Sequence, residues 1–463
     1  MTFNLITENW IPVLYHTGET RRVGIRQALT EAGEIRQIAA SNPMDRVAIL
    51  RFLLAVLYWC QGNPPSGWTG NAFPDGWFSK LDEHSDCFNL LGKGKRFYQV
   101  KNALRDRTST DLIQEIPSGN NFWHFRHSTD GEQGLCRACC ALGLLRLPLF
   151  SLSGLPDLKS GINGAPPIYV IPLGESLFET LKANWVVHPD HGIPAWIKPE
   201  VRPSPEKKVP LLVGFSALPR RVWLHDPEGP PGRCINCGAE NASLIRSGEN
   251  QSAGKLENDQ WDDPHVVYTT EPPPKPSRAS DLTATGSFRM DRPWPELTAR
   301  ILENPKFNSA DGPRRFFIVG FATNKAKNID VWEREIAIPP ATSNPQLPLI
   351  TALRQWQKEC AKLPWSICMK LKQIEGNALT FSVRPHVEDR VSATVGNLLA
   401  GTDESWLQAA LEYRPMMNVI AQSLSPGFTT RAIERRRRIA NILPDMRPKT
   451  EPEKTTRKKG GKK

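Results

Sequence analysis

Two Cys-x-x-Cys pairs place the strongest constraint on how this chain folds. Cys136 pairs with Cys139 and Cys234 with Cys237, and about 95 positions separate the two pairs. Zn²⁺ prefers four thiolates in a tetrahedron, and each Cys-x-x-Cys turn presents two sulfurs. Gly238 lets the backbone amides turn toward the second pair. We therefore predict a structural zinc site that clamps distant parts of one domain and leaves no open coordination position.

Buried thiols without a metal are the alternative for these cysteines. The first pair lies in the run Cys136-Arg137-Ala138-Cys139-Cys140, which also fits an apolar helix. The chain has nine cysteines, and its first residues lack the basic and apolar regions of an export signal. The longest apolar stretch, Val47 to Cys60, is interrupted by Arg51 and is shorter than the ~20 residues of a membrane span. We therefore expect a cytoplasmic protein with reduced thiols and no membrane partner.

The hydrophobic patterning predicts an α+β protein. With 39% hydrophobic residues, 41 Pro and 33 Gly in 463 positions, the chain can bury a large core yet is rich in loops. Residues 3–28 read as an opening hairpin. Asn42-Pro43 is a typical helix start, and the helix from Asp45 to Trp59 is apolar nearly all round. Residues 201–213 look strand-like.

The second half of the chain changes from strand to helix periodicity. Phe316 to Phe321 and Ile329 to Ile338 predict a hairpin with a basic tip, and helical spacing begins near Ile350. We expect a large, irregular N-terminal α/β domain with the zinc site over residues 1–345. A small C-terminal four-helix bundle (346–443) and a basic disordered tail (444–463) complete the predicted organisation.

The positive charge is concentrated at the C-terminal end. The net charge is +11, and residues 431–463 contain 13 basic and 4 acidic residues. Four consecutive arginines in the last predicted helix favour binding to a phosphate backbone: Arg435, Arg436, Arg437 and Arg438. The tail adds either salt-sensitive attraction to nucleic acid or solubility.

Aromatic and basic residues alternate in the predicted loop from Gly119 to Gly131. This composition fits base stacking with phosphate contacts, or a hydrophobic plug that closes the domain. Its members are Phe122, Trp123, Phe125, Arg126 and His127. The hairpin tip Asn324-Lys325-Ala326-Lys327 fits either insertion into a nucleic-acid groove or an ordinary solvated turn.

Motifs for catalysis are scarce. The sequence contains no nucleophile elbow, kinase motif set, dinucleotide fingerprint or His-Glu-x-x-His. Asp190 and His191 lie between the cysteine pairs in an order that loosely matches HNH nucleases, but the cysteines span about twice the expected length. A Pro-flanked surface loop is the better interpretation of this segment.

Taken in order, several segments resemble the CasA family, the large subunits of type I-E CRISPR Cascade complexes. The two Cys-x-x-Cys pairs and the helical C-terminus agree with this resemblance. The further matching segments are Phe3-Asn4-Leu5-Ile6, Trp10-Ile11-Pro12-Val13, residues 159–167, Trp196-Ile197-Lys198-Pro199, residues 219–224 and Gly320-Phe321-Ala322-Thr323-Asn324.

The resemblance implies specific roles for individual segments. The four paired cysteines would bind zinc, and the 118–131 loop would dock onto the crRNA 5′ end and a neighbouring backbone subunit. The segment Ser153-Gly154-Leu155-Pro156 would face the minor groove of the protospacer-adjacent motif (PAM), with Lys255 as a further contact. The segment Thr323-Asn324-Lys325-Ala326 would form the wedge that opens the duplex, with Lys325 standing where the family usually has glutamine.

The expected function is therefore PAM recognition in double-stranded DNA, initial R-loop formation and recruitment or positioning of a nuclease, without catalysis by the chain itself. Expected partners are crRNA, target DNA, the Cascade backbone and small subunits, and a helicase-nuclease or an alternative nuclease. Two other functions stay open on the sequence: an HNH-like metal-dependent nuclease using Asp190 and His191, and a zinc-stabilised RNA-binding scaffold without DNA recognition.

Overall fold

The structure is a computed structural model of the 463-residue chain. It describes residues 2–101, 105–116, 134–152, 160–164, 166–199, 207–253, 260–269, 283–284, 301, 304, 307, 315–324, 327–337, 427 and 429–442.

Helices and sheets are mixed along the described chain. The α-helices are α1 (Ile25–Thr30), α2 (Pro43–Gln61), α3 (Ser79–Glu83), α4 (Arg137–Phe150), α5 (Leu177–Asn184), α6 (Leu211–Phe215) and α7 (Thr430–Ile442). Single 3₁₀ turns occupy Asp75–Phe78, Ser85–Phe88 and Ser109–Leu112.

The strands are short except for one long pair. They are β1 (Ile11–Tyr15), β2 (Thr20–Val23), β3 (Ile35–Ile38), β4 (Asp106–Thr108), β5 (Leu135–Cys136), β6 (Tyr169–Leu173), β7 (Arg220–Leu224), β8 (Leu244–Ile245), β9 (Ser247–Ser252), β10 (Tyr268–Thr269), β11 (Thr283–Ala284), β12 (Arg315–Asn324) and β13 (Lys327–Ala337).

These strands form several small sheets. Three three-stranded sheets have the orders β2-β1-β3, β13-β12-β6 and β4-β9-β7, and β5 pairs with β8 and β10 with β11. The predicted opening hairpin is confirmed as β1 and β2, and the long hairpin as β12 and β13. The prediction of strand for residues 201–213 is wrong at its C-terminal end, where α6 forms. Pro210 starts this short helix with its fixed φ, and all five of its residues are buried.

Helix α2 runs through the centre of the core. Asn42 caps it by accepting a hydrogen bond from Met44 N at 2.8 Å, Pro43 occupies the first turn, and Gly62 (φ +81°) ends it. Nearly every side chain from Met44 to Tyr58 is buried, because α4, α6, α5 and the turn at Asp75–Phe78 pack against the helix. The sequence prediction of a buried helix is confirmed.

Two buried ion pairs join α2 to distant parts of the chain. Arg51 donates to both carboxylate oxygens of Asp263, at 2.6 and 2.9 Å, and Asp263 has no exposed surface. Arg146 of α4 donates to Asp45 of α2 at 2.6 Å. Each pair holds α2 against a distant part of the chain. Removing either partner of a pair would leave an uncompensated charge in the core, which is strongly destabilising.

The chain divides into two compact units. The first comprises residues 1–289 and 312–336, and contains α1 to α6 and nearly all of the strands. The second comprises residues 290–311 and 337–463. Its described part includes α7, and most of the predicted bundle and the tail lie outside the described residues. Among the described residues, no helix has the length and apolar character to cross a membrane.

Candidate metal centre and nucleic-acid interface

The structure brings the four predicted cysteines together. The Sγ atoms of Cys136, Cys139, Cys234 and Cys237 all lie within 4.8 Å of one another. Cys136 Sγ is 3.7 Å from Cys237 Sγ, which joins the first pair to the second. In the described part of the chain, these cysteines are the one group of three or more potential metal ligands.

Short strands and a helix terminus position the first pair. Cys136 ends β5 and is the residue before α4, so Cys139 lies in the first helical turn. β5 pairs with β8, with Cys136 opposite Leu244. The two interpretations of this run, a metal-binding turn and an apolar helix, are therefore both realised, because the ligands occupy the helix start and the apolar residues follow. Cys140 is fully buried and belongs to the helix core.

The second pair forms a tight knuckle. Gly238 N donates to Cys234 O at 2.9 Å, and Gly238 has a φ of +73°, a conformation that favours glycine. Ile235 N donates to Gly134 O at 3.2 Å and ties the knuckle to the residue before β5. The prediction that backbone amides turn toward the sulfurs agrees with the hydrogen bonds from the Cys237 amide to Cys234 and from the Ala239 amide to Cys237.

Polar groups around the cluster donate to its sulfurs. Cys136 N lies 3.2 Å from Cys234 Sγ, and Asn236 Nδ2 lies 3.3 Å from Cys139 Sγ. The Arg22 guanidinium hydrogen-bonds Cys237, and its pKa is raised because this bond and the neighbouring sulfurs outweigh burial. Such outer donors offset the negative charge of thiolates and fix their orientation. Local sequence patterns gave no signal for Arg22, because β2 lies more than a hundred residues from either pair.

The thiols perturb one another strongly. The pKa of Cys139 is raised, first by hydrogen bonds to Cys136 and the other cluster thiols and then by burial. The pKa of Cys237 is lowered by accepting hydrogen bonds from the same groups. Four thiolates this close repel each other, so full deprotonation requires a cation among them. The donor set and its tetrahedral size fit Zn²⁺.

The predicted nucleic-acid residues are described only in part. Asn324 ends β12, but its side chain and Lys325 lie outside the described residues. The same is true of Phe122, Trp123, Phe125, Arg126, His127, Ser153, Gly154, Leu155, Pro156 and Lys255.

The arginine run lies on α7, as predicted. Arg437 is exposed, whereas Arg436 folds back on its own helix and donates to Ala432 O and Gly427 O. Arg436 therefore has less freedom to reach phosphate than the sequence interpretation assumed. Arg435 and Arg438 are part of the same helix, and their side chains lie outside the described set.

The candidate nuclease pair occupies a loop beside the end of α2. His191 Nε2 lies 3.0 Å from Asn63 Oδ1, and its ring packs against Tyr58. Partial burial, followed by the nearby His188, lowers the pKa of His191. Asp190 N donates to His188 Nδ1 at 3.3 Å. These contacts hold the loop in place through its backbone and Asn63, which agrees with the interpretation as a surface loop.

Comparison with known proteins supplies the family. The sequence profile described as CRISPR-associated protein Cse1 matches residues 4–363. The CRISPR-associated protein CasA/Cse1 of Thermus thermophilus is 33% identical over 219 residues, which span 43% of this chain and 43% of that relative.

Solved structures have the same fold. A crystal structure of CasA from Thermus thermophilus aligns with a TM-score of 0.70 at 19% identity, covering 96% of this chain and 100% of that one. Cse1 from Acidimicrobium ferrooxidans gives a TM-score of 0.67 at 17% identity, with coverage of 98% and 99%. A chain of a CRISPR RNA-guided surveillance complex gives 0.63 at 14% identity, with coverage of 96% and 99%. On the profile match over most of its length, this chain belongs to the CRISPR-associated protein Cse1 family.

Proposed function

We propose that this chain is the large subunit of a type I-E-like CRISPR surveillance complex that recognises the PAM in double-stranded DNA and opens the adjacent base pairs. Family membership supports the proposal, as does the shared fold with a chain of an RNA-guided surveillance complex. The subunit binds and positions, and a separate helicase-nuclease or alternative nuclease cuts. Its other partners are crRNA and the Cascade backbone and small subunits, in cytoplasmic antiviral defence.

The long hairpin of β12 and β13 is the observation that carries this proposal. β6 pairs with β12 only from Arg315 to Val319. Within the described chain, β12 continues to Asn324 and β13 begins at Lys327, so the distal part of the hairpin extends past its sheet partner. Phe321 is still buried against Phe150, so only the end of the hairpin beyond it is free to act as a duplex-separating wedge, with Lys325 between its two strands.

The hairpin is stiffened from within. A Cβ placed on Gly320 would overlap ring atoms of Trp332, so the indole packs directly over the glycine backbone on the opposite strand. Glycine at this position lets a large ring bridge the two strands just where the support of β6 ends. A rigid projection transmits binding energy into base-pair separation more effectively than a flexible one.

Two of the proposed DNA-facing segments share one anchor. Residues 160–164 follow the proposed minor-groove segment 153–156, and residues 260–265 follow Lys255. Asn163 Nδ2 donates to Asp263 Oδ2 at 3.0 Å, and Asp263 is fixed by Arg51. The points where both segments join the core are therefore held together, which suits joint reading of one short DNA site. The degenerate minor-groove code implies tolerant PAM recognition.

The proposed crRNA-docking loop is also anchored at both ends. Glu115 accepts hydrogen bonds from Arg146 and from Asn42 at the start of α2. At the other end, Cys136 belongs to the cysteine cluster. We assign a structural Zn²⁺ to this cluster, held by Cys136, Cys139, Cys234 and Cys237, where it would fix the start of α4 and the 234–238 knuckle without taking part in chemistry.

The test is DNA binding by the reconstituted complex, with and without this subunit, on duplexes with a randomised flank. The wild-type subunit should impose a flank preference and produce 2-aminopurine fluorescence from opened base pairs. Lys325→Ala should reduce opening more than binding, whereas Lys325→Arg, which keeps the charge, should reduce it less.

Two results would contradict the proposal. If the subunit raises affinity equally for every flank and the gain disappears with salt, it acts as a basic clamp and the PAM assignment is wrong. If Lys325→Ala leaves duplex binding and opening unchanged, the scaffold interpretation without DNA recognition is favoured instead.

A further inference from the structure

A glycine-lysine turn, Gly92-Lys93-Gly94-Lys95, projects from the first unit and has no assigned role. Both lysines are exposed, and neither forms a hydrogen bond or ion pair with the described residues. The turn also lies outside every segment that the proposed function uses. Two exposed ammonium groups two positions apart form a compact positive site.

Buried contacts fix the backbone of this turn. Arg96, 8% exposed, donates from Nε to Gly92 O at 2.7 Å and from Nη1 to Leu224 O at 2.6 Å. Its guanidinium lies 4.1 Å from the ring centroid of Trp223. Arg96 therefore closes the turn on itself and attaches it to the end of β7, and its charge is paired with the exposed Asp226, 3.5 Å from Nη2.

The residues flanking the turn are equally constrained. Leu90, Leu91 and Phe97 are buried, and Phe97 N donates to Asn89 O at 2.8 Å, which closes the loop at its base. Gly92 has a φ of +122°, a conformation that side-chain-bearing residues rarely adopt. The lysines are thus presented from a rigid base, so little backbone entropy is lost when they meet a ligand.

The surroundings of the turn favour an extended anionic ligand. A Cβ on Gly94 would have no neighbour within 4 Å, so the backbone between the two lysines is open to close approach. Lysine recognises phosphate as a point charge without demanding a particular base. A repeating phosphodiester offers charges at a spacing that two neighbouring lysines can contact together.

We propose that the Gly92–Lys95 turn is a binding site for the phosphodiester backbone of nucleic acid, with Lys93 and Lys95 as its sequence-independent contacts. The proposal rests on the proposed function for its setting, a nucleic-acid-binding complex. It adds a contact outside the PAM segments and the hairpin tip. The phosphates come from either the target duplex or the crRNA, and the experiment separates these sources.

The experiment measures binding by the reconstituted complex as a function of salt concentration. One arm titrates target duplex DNA, and the other measures incorporation of this subunit into the crRNA-containing complex. The variants are Lys93→Ala/Lys95→Ala and the charge-preserving Lys93→Arg/Lys95→Arg. Lys198→Ala removes another exposed lysine and serves as the matched control.

Each phosphate contact contributes about 0.9 to the slope of log K against log salt. The double alanine variant should therefore lower this slope by about 2 in one arm and raise Kd on the order of tenfold at low salt, by the same factor for every flank. The double arginine variant should keep the wild-type slope. All variants should melt as the wild type does, because the lysines make no hydrogen bond or ion pair within the described fold.

A lower slope in the DNA arm identifies target phosphates, and a lower slope in the crRNA arm identifies guide phosphates; either supports the site. Unchanged slopes in both arms, or an equal loss for Lys198→Ala, would overturn it. Failure of the proposed function can be told apart from failure of this proposal. A wild-type complex without flank preference would contradict PAM recognition, whereas the salt slopes of the variants would still show whether the Gly92–Lys95 turn binds phosphate.

Discussion

Arg146 Nη1 lies 2.5 Å from Glu115 Oε2, three residues before the predicted docking loop begins at residue 118. The same guanidinium donates from Nε to Asp45 of α2 at 2.6 Å, and Arg146 is only 1% exposed. One buried arginine thus links the central helix to the entry of a segment expected to contact RNA. The carboxylate of Glu115 is the most exposed member of this group, at 19%.

Arg146→Met is expected to destabilise the protein by about 3–5 kcal/mol, because it leaves Asp45 as an uncompensated buried charge. Chemical denaturation measures the loss. Arg315→Met is the control: Arg315 pairs with Glu175 and Glu335 at the surface, so its removal should cost no more than about 1 kcal/mol. Equal losses for the two variants would contradict the importance of burial.

Glu115→Ala should loosen the entry of the docking loop while leaving the core folded. We expect faster protease cleavage within residues 117–133, with unchanged cleavage elsewhere, measured by mass spectrometry of timed digests. Glu175→Ala, which removes an exposed carboxylate from another ion pair, should leave cleavage of this segment unchanged. An unaltered cleavage pattern in Glu115→Ala would show that the arginine contact does not anchor the loop.

Metal analysis should find one zinc per chain, and strong chelation should lower the Tm. Cys234→Ser should reduce the bound zinc and the Tm together, because three thiolates hold the ion less well and Cys234 also accepts from Cys136 N. Cys140→Ala removes a neighbouring buried thiol that is outside the cluster and should retain full zinc. Wild-type protein that purifies without metal and melts unchanged with chelator would support the interpretation as unligated thiols.

Gly320→Ala should disturb the hairpin because its new Cβ would collide with the ring of Trp332. Overpacking of this kind costs about 1–3 kcal/mol. Near-ultraviolet circular dichroism should report a changed tryptophan environment, and duplex opening by the assembled complex should fall more than duplex binding. Gly76→Ala, where a Cβ meets nothing within 4 Å, should leave both readouts unchanged.

The stability of the protein at acid pH should depend on the ion pair between Arg51 and Asp263. Burial alone raises the pKa of Asp263, but the charge and hydrogen bonds of Arg51 outweigh it and lower the pKa to about 2. A carboxyl with a lowered pKa in the folded state stabilises the fold above the unfolded-state pKa of about 4, and this contribution is lost as the pH falls toward 2.

Asp263→Asn should therefore be less stable than the wild type near neutral pH, and the difference should shrink between about pH 4 and pH 2. The measurement is the free energy of unfolding as a function of pH. Glu8→Gln, at an exposed position, should follow the wild-type curve. A difference that stays constant across this range would contradict the assigned shift.

Local sequence patterns predicted the helix and the hairpins that are determined by neighbouring residues. Asn42 and Pro43 marked the start of α2, and alternation of apolar residues marked both hairpins. Spacing of the cysteines predicted their convergence, because one chemical requirement, four sulfurs around one ion, links two distant segments. The short helix α6 lies where the sequence predicted strand, because five residues are too few to show a period that distinguishes helix from strand.

The outer contacts of the site could not be predicted in this way. Arg22 reaches the cluster from β2, and Glu115 meets Arg146 only after α4 has packed on α2. Such contacts depend on tertiary packing, and the residues next to Arg22 and Glu115 in the sequence form no motif that would predict their roles. Lys93 and Lys95 carry no sequence motif, and only the buried position of Arg96 shows that their turn is held in place.

The cysteine cluster ties together two chain segments about 95 positions apart without a covalent bond between them. In the chain-entropy description of cross-links, joining positions this far apart removes unfolded-state freedom corresponding to roughly 4–5 kcal/mol. A bound ion would thus restrain the unfolded chain much as a disulfide does. The folded population of the protein would then follow the supply of metal.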